Sequence, residues 1–91
     1  MTKQATEIKI TLIGGGSQYW GIQMMTDLAI CPHLTGEFVL YDINHGAALN
    51  NAEIGEKIFS HPDAVTRFKT RATVDIADAL KDADFVIISI E

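Results

Sequence analysis

Ile8-Lys9-Ile10-Thr11-Leu12-Ile13-Gly14-Gly15-Gly16-Ser17 is the stretch that decides how this chain folds. Branched apolar residues at 8, 10, 12 and 13 describe a buried strand. Three glycines follow at once, and an apolar-rich segment long enough for a helix begins at about Gln18. A strand, a tight glycine turn and a helix form the phosphate-binding corner of a dinucleotide fold. Gly14 permits a turn through backbone angles that a Cβ would block. Gly16 lets the main chain approach a pyrophosphate, and the helix start turns free N–H groups and a positive dipole end toward the anion. The fingerprint is incomplete. The third position of G-x-G-x-x-G falls on Tyr19, and the nearest later glycine is Gly21. Taken alone, the run fits a plain glycine turn equally well, so the rest of the chain has to decide.

With 91 residues, 47% of them hydrophobic and 21% charged, the composition is that of a soluble globular domain with one small core. A net charge of −5 argues against a nucleic-acid partner. It leaves room for an anionic cofactor, because backbone amides and a helix end bind phosphate without lysine. The single cysteine, Cys31, excludes an internal disulfide and fits a reducing compartment. Neither apolar run, 8–13 or 85–90, is long enough to span a membrane. Residues 1–7 lack the apolar core of a signal peptide, so the cytoplasm is the expected location.

The chain alternates strand and helix throughout. Residues 18–30 are predicted as the first helix, with Ser17 as N-cap and Met24, Met25, Leu28 and Ala29 over the sheet. Cys31-Pro32-His33 ends it. Glu37-Phe38-Val39-Leu40-Tyr41-Asp42 reads as the second strand. The second helix, 45–59, carries a stripe of Ala48, Ala52, Gly55 and Phe59, with Glu53, Glu56 and Lys57 turned to water. Gly55 within that stripe suggests close approach to the sheet. Residues 67–72 read as a half-exposed third strand whose Arg67, Lys69 and Arg71 suit a sheet edge. Asp75 caps a short third helix holding Ile76, Ala79 and Leu80. Phe85-Val86-Ile87-Ile88-Ser89-Ile90 has the composition of a parallel strand covered on both faces. The fold class is therefore α/β, βαβαβαβ, with a parallel sheet of about four strands in the order 3-2-1-4. That is the first half of a Rossmann domain plus one strand of the second. A truncated domain is expected, and with it self-association, either by pairing of fourth strands or by exchange of an element between copies.

Asp42 turns the balance at the glycines. It closes the second strand 26 residues after Gly16, somewhat beyond the usual ~20, with the excess assigned to a loop over 31–36. A carboxylate there accepts the adenosine-ribose hydroxyls and repels a 2′-phosphate. No arginine follows in Ile43-Asn44-His45, so NAD is expected over NADP, and Asp42→Arg is expected to narrow or reverse the preference.

These residues also carry a family resemblance. Ile10-Thr11-Leu12-Ile13-Gly14-Gly15-Gly16-Ser17 resembles the start of glycoside hydrolase family 4, the NAD- and manganese-dependent glycosidases. Met25-Thr26-Asp27-Leu28-Ala29, Leu34-Thr35-Gly36-Glu37, Leu40-Tyr41-Asp42-Ile43 and Ala83-Asp84-Phe85-Val86-Ile87 extend the resemblance over nearly the whole chain. Many members have a proline four positions after the motif serine, where this chain has Gly21. Gly16-Ser17-Gln18-Tyr19-Trp20, with residues 51–55, is more similar to the α-galacturonidase branch. The resemblance implies hydride abstraction by NAD⁺ at C3 of the sugar, elimination of the aglycone, addition of water and return of the hydride. This departs from the two-carboxylate scheme. It implies Mn²⁺ as Lewis acid, with the metal ligands and the base beyond this chain. Gly14, Gly15, Gly16, Ser17, Gln18 and Asp42 carry over as cofactor contacts, with Asn44 beside the adenosine. Ser89 is not counted among them. No catalytic and no metal-binding residue is assigned, and the 91 residues alone are expected to be inactive. The partners implied are NAD and a sugar glycoside, a uronate or a phosphorylated sugar, with a homo-oligomer expected.

Other candidates have plainer readings. Cys31 and His33 lack a second ligand pair. His45 and His61 read as solvated groups near helix ends. Tyr19 and Trp20 read as packing residues. Asp75, Asp78, Asp82 and Asp84 read as a cap, an exposed helix face and a strand entry. Two alternatives stay open: a malate- or lactate-dehydrogenase-like oxidoreductase, and a nucleotide-binding or assembly fragment without chemistry of its own.

Overall fold

The computed structural model describes residues 6–14 and 16–89. Four strands form one parallel sheet: β1 (Thr6–Ile13), β2 (Leu34–Tyr41), β3 (Phe68–Thr73) and β4 (Phe85–Ile88), in the order β3-β2-β1-β4. Helices α1 (Gln18–Ala29), α2 (His45–Ser60) and α3 (Ile76–Leu80) make the connections. Class, order and direction are those expected from the sequence. Among the described residues, no helix is long and apolar enough to cross a membrane.

The two faces of the sheet are chemically different. Ile10, Leu12, Phe38, Leu40 and Phe68 share the face under α1 and α2, where Met25, Ala29, Ala48, Ala52 and Phe59 complete the core. At Gly55 the helix α2 packs tightly against both α1 and β3. A Cβ there would meet the Met25 sulfur at 2.5 Å and Thr70 Cγ2 at 2.7 Å, so any larger residue would force Met25 or Thr70 to shift.

The opposite face carries Lys9, Thr11, Glu37, Val39 and Arg71, covered by α3. Here polar contacts do the fastening. Thr11 Oγ1 donates to the carbonyl of Ala79, and Lys9 Nζ donates to the carbonyls of Asp78 and Lys81. Arg71, on edge strand β3, bridges Glu37 (3.0 Å) and Asp78 (2.6 Å). Asp78, expected to face water, is instead the anchor of α3. Asp75 caps the helix as expected, accepting from the Ala77 N–H at 2.9 Å.

Three boundaries differ in an instructive way. β2 begins at Leu34 rather than 37, because the ladder with β1 runs back to Thr6 opposite Leu34. Thr66 Oγ1 donates to the Leu34 carbonyl and Thr35 Oγ1 to that of Arg67, which ties this end to the start of β3. The extra residues between Gly16 and Asp42 therefore lengthen the strand, not the loop. Strand β3 is displaced by one residue from 67–72. β4 ends at Ile88 rather than 90: Ser89 follows it outside the strand, and Ile90 lies outside the described residues. Its side chains are exposed, Phe85 by 58%, instead of covered on both faces, because no described strand or helix lies beyond it. Tyr19 and Trp20 are also exposed, 69% and 53%, with their rings edge to face at 5.3 Å. Gly21 and Met25 take the buried positions of that part of α1.

The Arg71 fork, and then Thr73, holds the Asp78 carboxyl below the ordinary carboxylate range. Since the folded value is depressed, this contribution is present above the unfolded pKa and is lost as pH falls through the lower, folded one. Thermal unfolding followed from neutral pH into acid should show a smaller loss of Tm in Asp78→Asn than in the unaltered protein. The variant should start from a lower Tm at neutral pH. Parallel curves would show that the bridge does not hold α3.

Candidate functional site

Three strands deliver their carboxyl ends to one place. β1 leaves the sheet at Gly14, whose N–H donates to the Tyr41 carbonyl at the end of β2 (2.8 Å). On the other side, the Ser89 N–H donates to the Ile13 carbonyl (2.9 Å). Gly14 has φ +89°, and a Cβ on it would lie 2.4 Å from the Ser89 carbonyl oxygen. The turn closes with the Ser17 N–H donating to the Gly14 carbonyl at 3.0 Å, and α1 starts at Gln18.

A hollow of about 710 Å³ opens over this corner, with Gly14, Gly16, Ser17, Asp42, Asn44 and Ser89 in its wall. Five of the seven residues expected at a cofactor site are thus gathered in one cavity. Gly15 lies outside the described residues, and Gln18 is the first residue of α1. A larger hollow, about 1060 Å³, sits at the amino end of the sheet among charged residues of β1, β2 and β3. In open α/β sheets ligands bind outside the carboxyl ends, which favours the smaller one.

Ser17 is the N-cap of α1, as expected, but its hydroxyl makes no capping bond. The residue is only 7% exposed, and its Oγ has no partner among the described residues. The Oγ of Ser89 is likewise buried without one. Burying a hydroxyl unsatisfied is costly, and Ser17 and Ser89, both on the wall of this hollow, each carry a donor still able to serve an oxygen acceptor. The first-turn N–H groups of α1 add their orphan donors and the positive dipole end at the same spot.

The Asp42 carboxylate stands at the end of β2 and is already engaged. Its Oδ2 accepts from the Gly16 N–H and its Oδ1 from the Asn44 N–H, both at 2.8 Å. Asn44 caps α2 through its side-chain oxygen, which accepts from Ala47 N–H at 3.2 Å. A Cβ at Gly16 would lie 2.8 Å from Asp42 Oδ2 and 2.8 Å from the Ala47 methyl. The missing side chain at 16 therefore makes room for Asp42 and α2, where the sequence suggested room for a pyrophosphate.

Asn51 belongs to the corner as well, a residue the local pattern alone does not place there. It is fully buried on α2, and its Nδ2 donates to the Ser17 carbonyl at 3.0 Å, fixing the start of α1 against α2. The signal was present in the sequence as an amide inside the Ala48–Ala52–Gly55 stripe. His45, read as solvated, is half-buried with its Nδ1 enclosed. Among the described residues, no group of three or more His, Cys, Asp or Glu side chains is placed to hold a metal ion.

The profile of the family described as "Family 4 glycosyl hydrolase" matches residues 9–91. The chain belongs to that family. An α-galacturonidase of Lachnoclostridium phytofermentans is 42% identical over 87 residues, 96% of this chain and 19% of the relative. A crystal structure described as a putative glucosidase from Bacillus subtilis superposes with a TM-score of 0.74 at 40% identity, over 92% of this chain and 18% of that one. A 6-phospho-α-glucosidase from gut microorganisms, determined with NAD and Mn²⁺, gives a TM-score of 0.67 at 26% identity, over 93% of this chain and 19% of its own. The chain thus spans about a fifth of the length of the family 4 proteins it matches.

Gly14→Ala should destabilise the protein by about 1–3 kcal/mol, since it combines a positive φ with a clash against the end of β4. Gly46→Ala, with nothing but Asn44 Oδ1 at 3.5 Å, should stay within about 0.5 kcal/mol of the unaltered protein. Urea unfolding of the two variants provides the check, and equal stabilities would remove the requirement for glycine at position 14.

Proposed function

We propose that this segment binds NAD for a glycosidase, with the pyrophosphate over the start of α1 and the adenosine ribose at Asp42. The observation carrying the reading is the buried, unpartnered hydroxyl of Ser17 at an uncapped helix start, with Ser89 facing the same hollow. A pyrophosphate oxygen fits that chemistry, accepting from Ser17 Oγ and from the first-turn N–H groups. Gly14, Gly15, Gly16, Ser17, Gln18, Asp42 and Asn44 are the proposed contacts, and Ser89 joins them. NAD, when bound, supplies a hydride acceptor for the sugar, in keeping with the redox-assisted elimination and addition expected from the sequence.

The protein's own residues bind and orient. Ser17 and the α1 terminus hold the diphosphate, Asn51 holds Ser17, and Asp42 selects the ribose. Manganese, part of the same proposal, finds no ligand set among the described residues, and no step is assigned to it here. The segment is the amino-terminal part of a dinucleotide domain in a protein whose remaining parts supply sugar-binding and catalytic groups. Galacturonides or other α-glycosides are the proposed substrates, from the activities of relatives 37–43% identical.

Calorimetry on the protein carrying this segment should show NAD binding at least tenfold tighter than NADP. A hydrogen bond to a charged group contributes about 1.5–3 kcal/mol, so Ser17→Ala should weaken NAD by roughly ten- to a hundredfold with little change in Tm. Failure of the unaltered protein to bind NAD would overturn the reading.

A further inference from the structure

The acid at the end of the second strand of a dinucleotide fold is ordinarily understood through the ribose it touches. Here Asp42 also holds the protein to itself. Its two oxygens accept from Gly16 N–H, in the glycine turn, and from Asn44 N–H, the N-cap of α2, at 2.8 Å each. The carboxylate therefore joins the β1–α1 corner to the β2–α2 corner. It sits where a side chain at 16 would stand, and the Ala47 methyl closes the same gap. Asn44 in turn receives Ala47 N–H, so the clasp runs into the first turn of α2.

We infer that Asp42 is a positioning residue for the glycine corner as well as the ribose contact, and that it fixes the diphosphate seat before any cofactor arrives. The inference deepens the NAD reading above and rests on it for the binding arm of its test. The acceptor count allows both tasks. A carboxylate has about four lone-pair sites, of which the two N–H groups take two. The other two remain for the 2′- and 3′-hydroxyls. Conversely, the Gly16 N–H is spent on Asp42, so the diphosphate depends on Ser17 and the start of α1.

Two consequences separate this from a ribose-only role. Asp42→Arg should not convert the site to NADP, contrary to the expectation from sequence, because it removes the clasp along with the repulsion. Removal of Asp42 should also weaken a cofactor that has no hydroxyls for it to bind. The test measures NAD, and NAD lacking the adenosine 2′- and 3′-hydroxyls, against unaltered, Asp42→Ala and Asp42→Asn proteins by calorimetry. Amide hydrogen exchange is followed in the absence of cofactor.

Asp42→Ala should weaken the dideoxy analogue at least fivefold. Asp42→Asn, whose amide oxygen can still accept from Gly16, should recover part of the loss. Gly16 and Asn44 amides, protected in the unaltered protein, should exchange faster in Asp42→Ala while those of Leu12 and Leu40 stay protected. A general loss of folding would expose all four. Equal binding of the dideoxy analogue by unaltered and Asp42→Ala proteins overturns the inference, leaving only the ribose role. A Gly16 amide that exchanges freely in the unaltered protein overturns it as well. If the unaltered protein binds no NAD, the function reading fails and the exchange data alone decide the clasp: selective loss at Gly16 and Asn44 supports it, and unchanged protection refutes it.

Discussion

Everything at the carboxyl edge of the sheet depends on how the chain leaves its central strand. β1 has neighbours on both sides, so at Ile13 the backbone must turn out between the Tyr41 carbonyl of β2 and the Ser89 carbonyl that follows β4. Gly14 satisfies the first with its N–H and leaves no atom against the second. That one passage fixes where α1 begins, and with it where the dipole end and the Ser17 hydroxyl point. A helix start displaced by one residue would rotate the side chains of α1 by about 100° against the sheet, given 3.6 residues per turn.

The sheet is held differently on its two faces. Under α1 and α2, burial of aliphatic and aromatic side chains supplies the cohesion, and it is insensitive to pH. Under α3, a helix of five residues buries only Ala79 and is secured by Lys9, Thr11 and Arg71. Such a short helix has little stability of its own, so the docking contacts carry it. The β3–α3–β4 crossover is thus more exposed to solution conditions than the two crossovers before it.

Element order, sheet topology and the identity of the corner were legible in the sequence because each rests on local patterns. Branched residues in alternation or in a run, glycines directly after a strand, and an acid closing the next strand are all read within a few positions. What escaped depended on distant partners. The early start of β2 is set by the ladder to Thr6, and the role of Asp78 by an arginine seven residues earlier on another element. Asn51 looked like one polar residue in an apolar stripe, yet its partner is the carbonyl of Ser17, 34 residues away. Trp20 and Tyr19 were misjudged because large aromatic side chains are usually buried, and helical phase had to be known before Gly21 and Met25 could be given the inner positions. Gly16 shows the same limit: its need for glycine was readable, but the neighbour it yields to was not.

The outward placement of Trp20 has a practical bearing on how this molecule can be watched. It is the sole indole in the chain, stands on the first turn of α1, and has Tyr19 as its ring neighbour. An indole already in contact with water emits much as it does in a disordered chain. Its fluorescence is therefore a poor gauge of whether the core under α1 and α2 is intact. Its contact with the Tyr19 ring makes it a local optical reporter of the first turn of α1 instead.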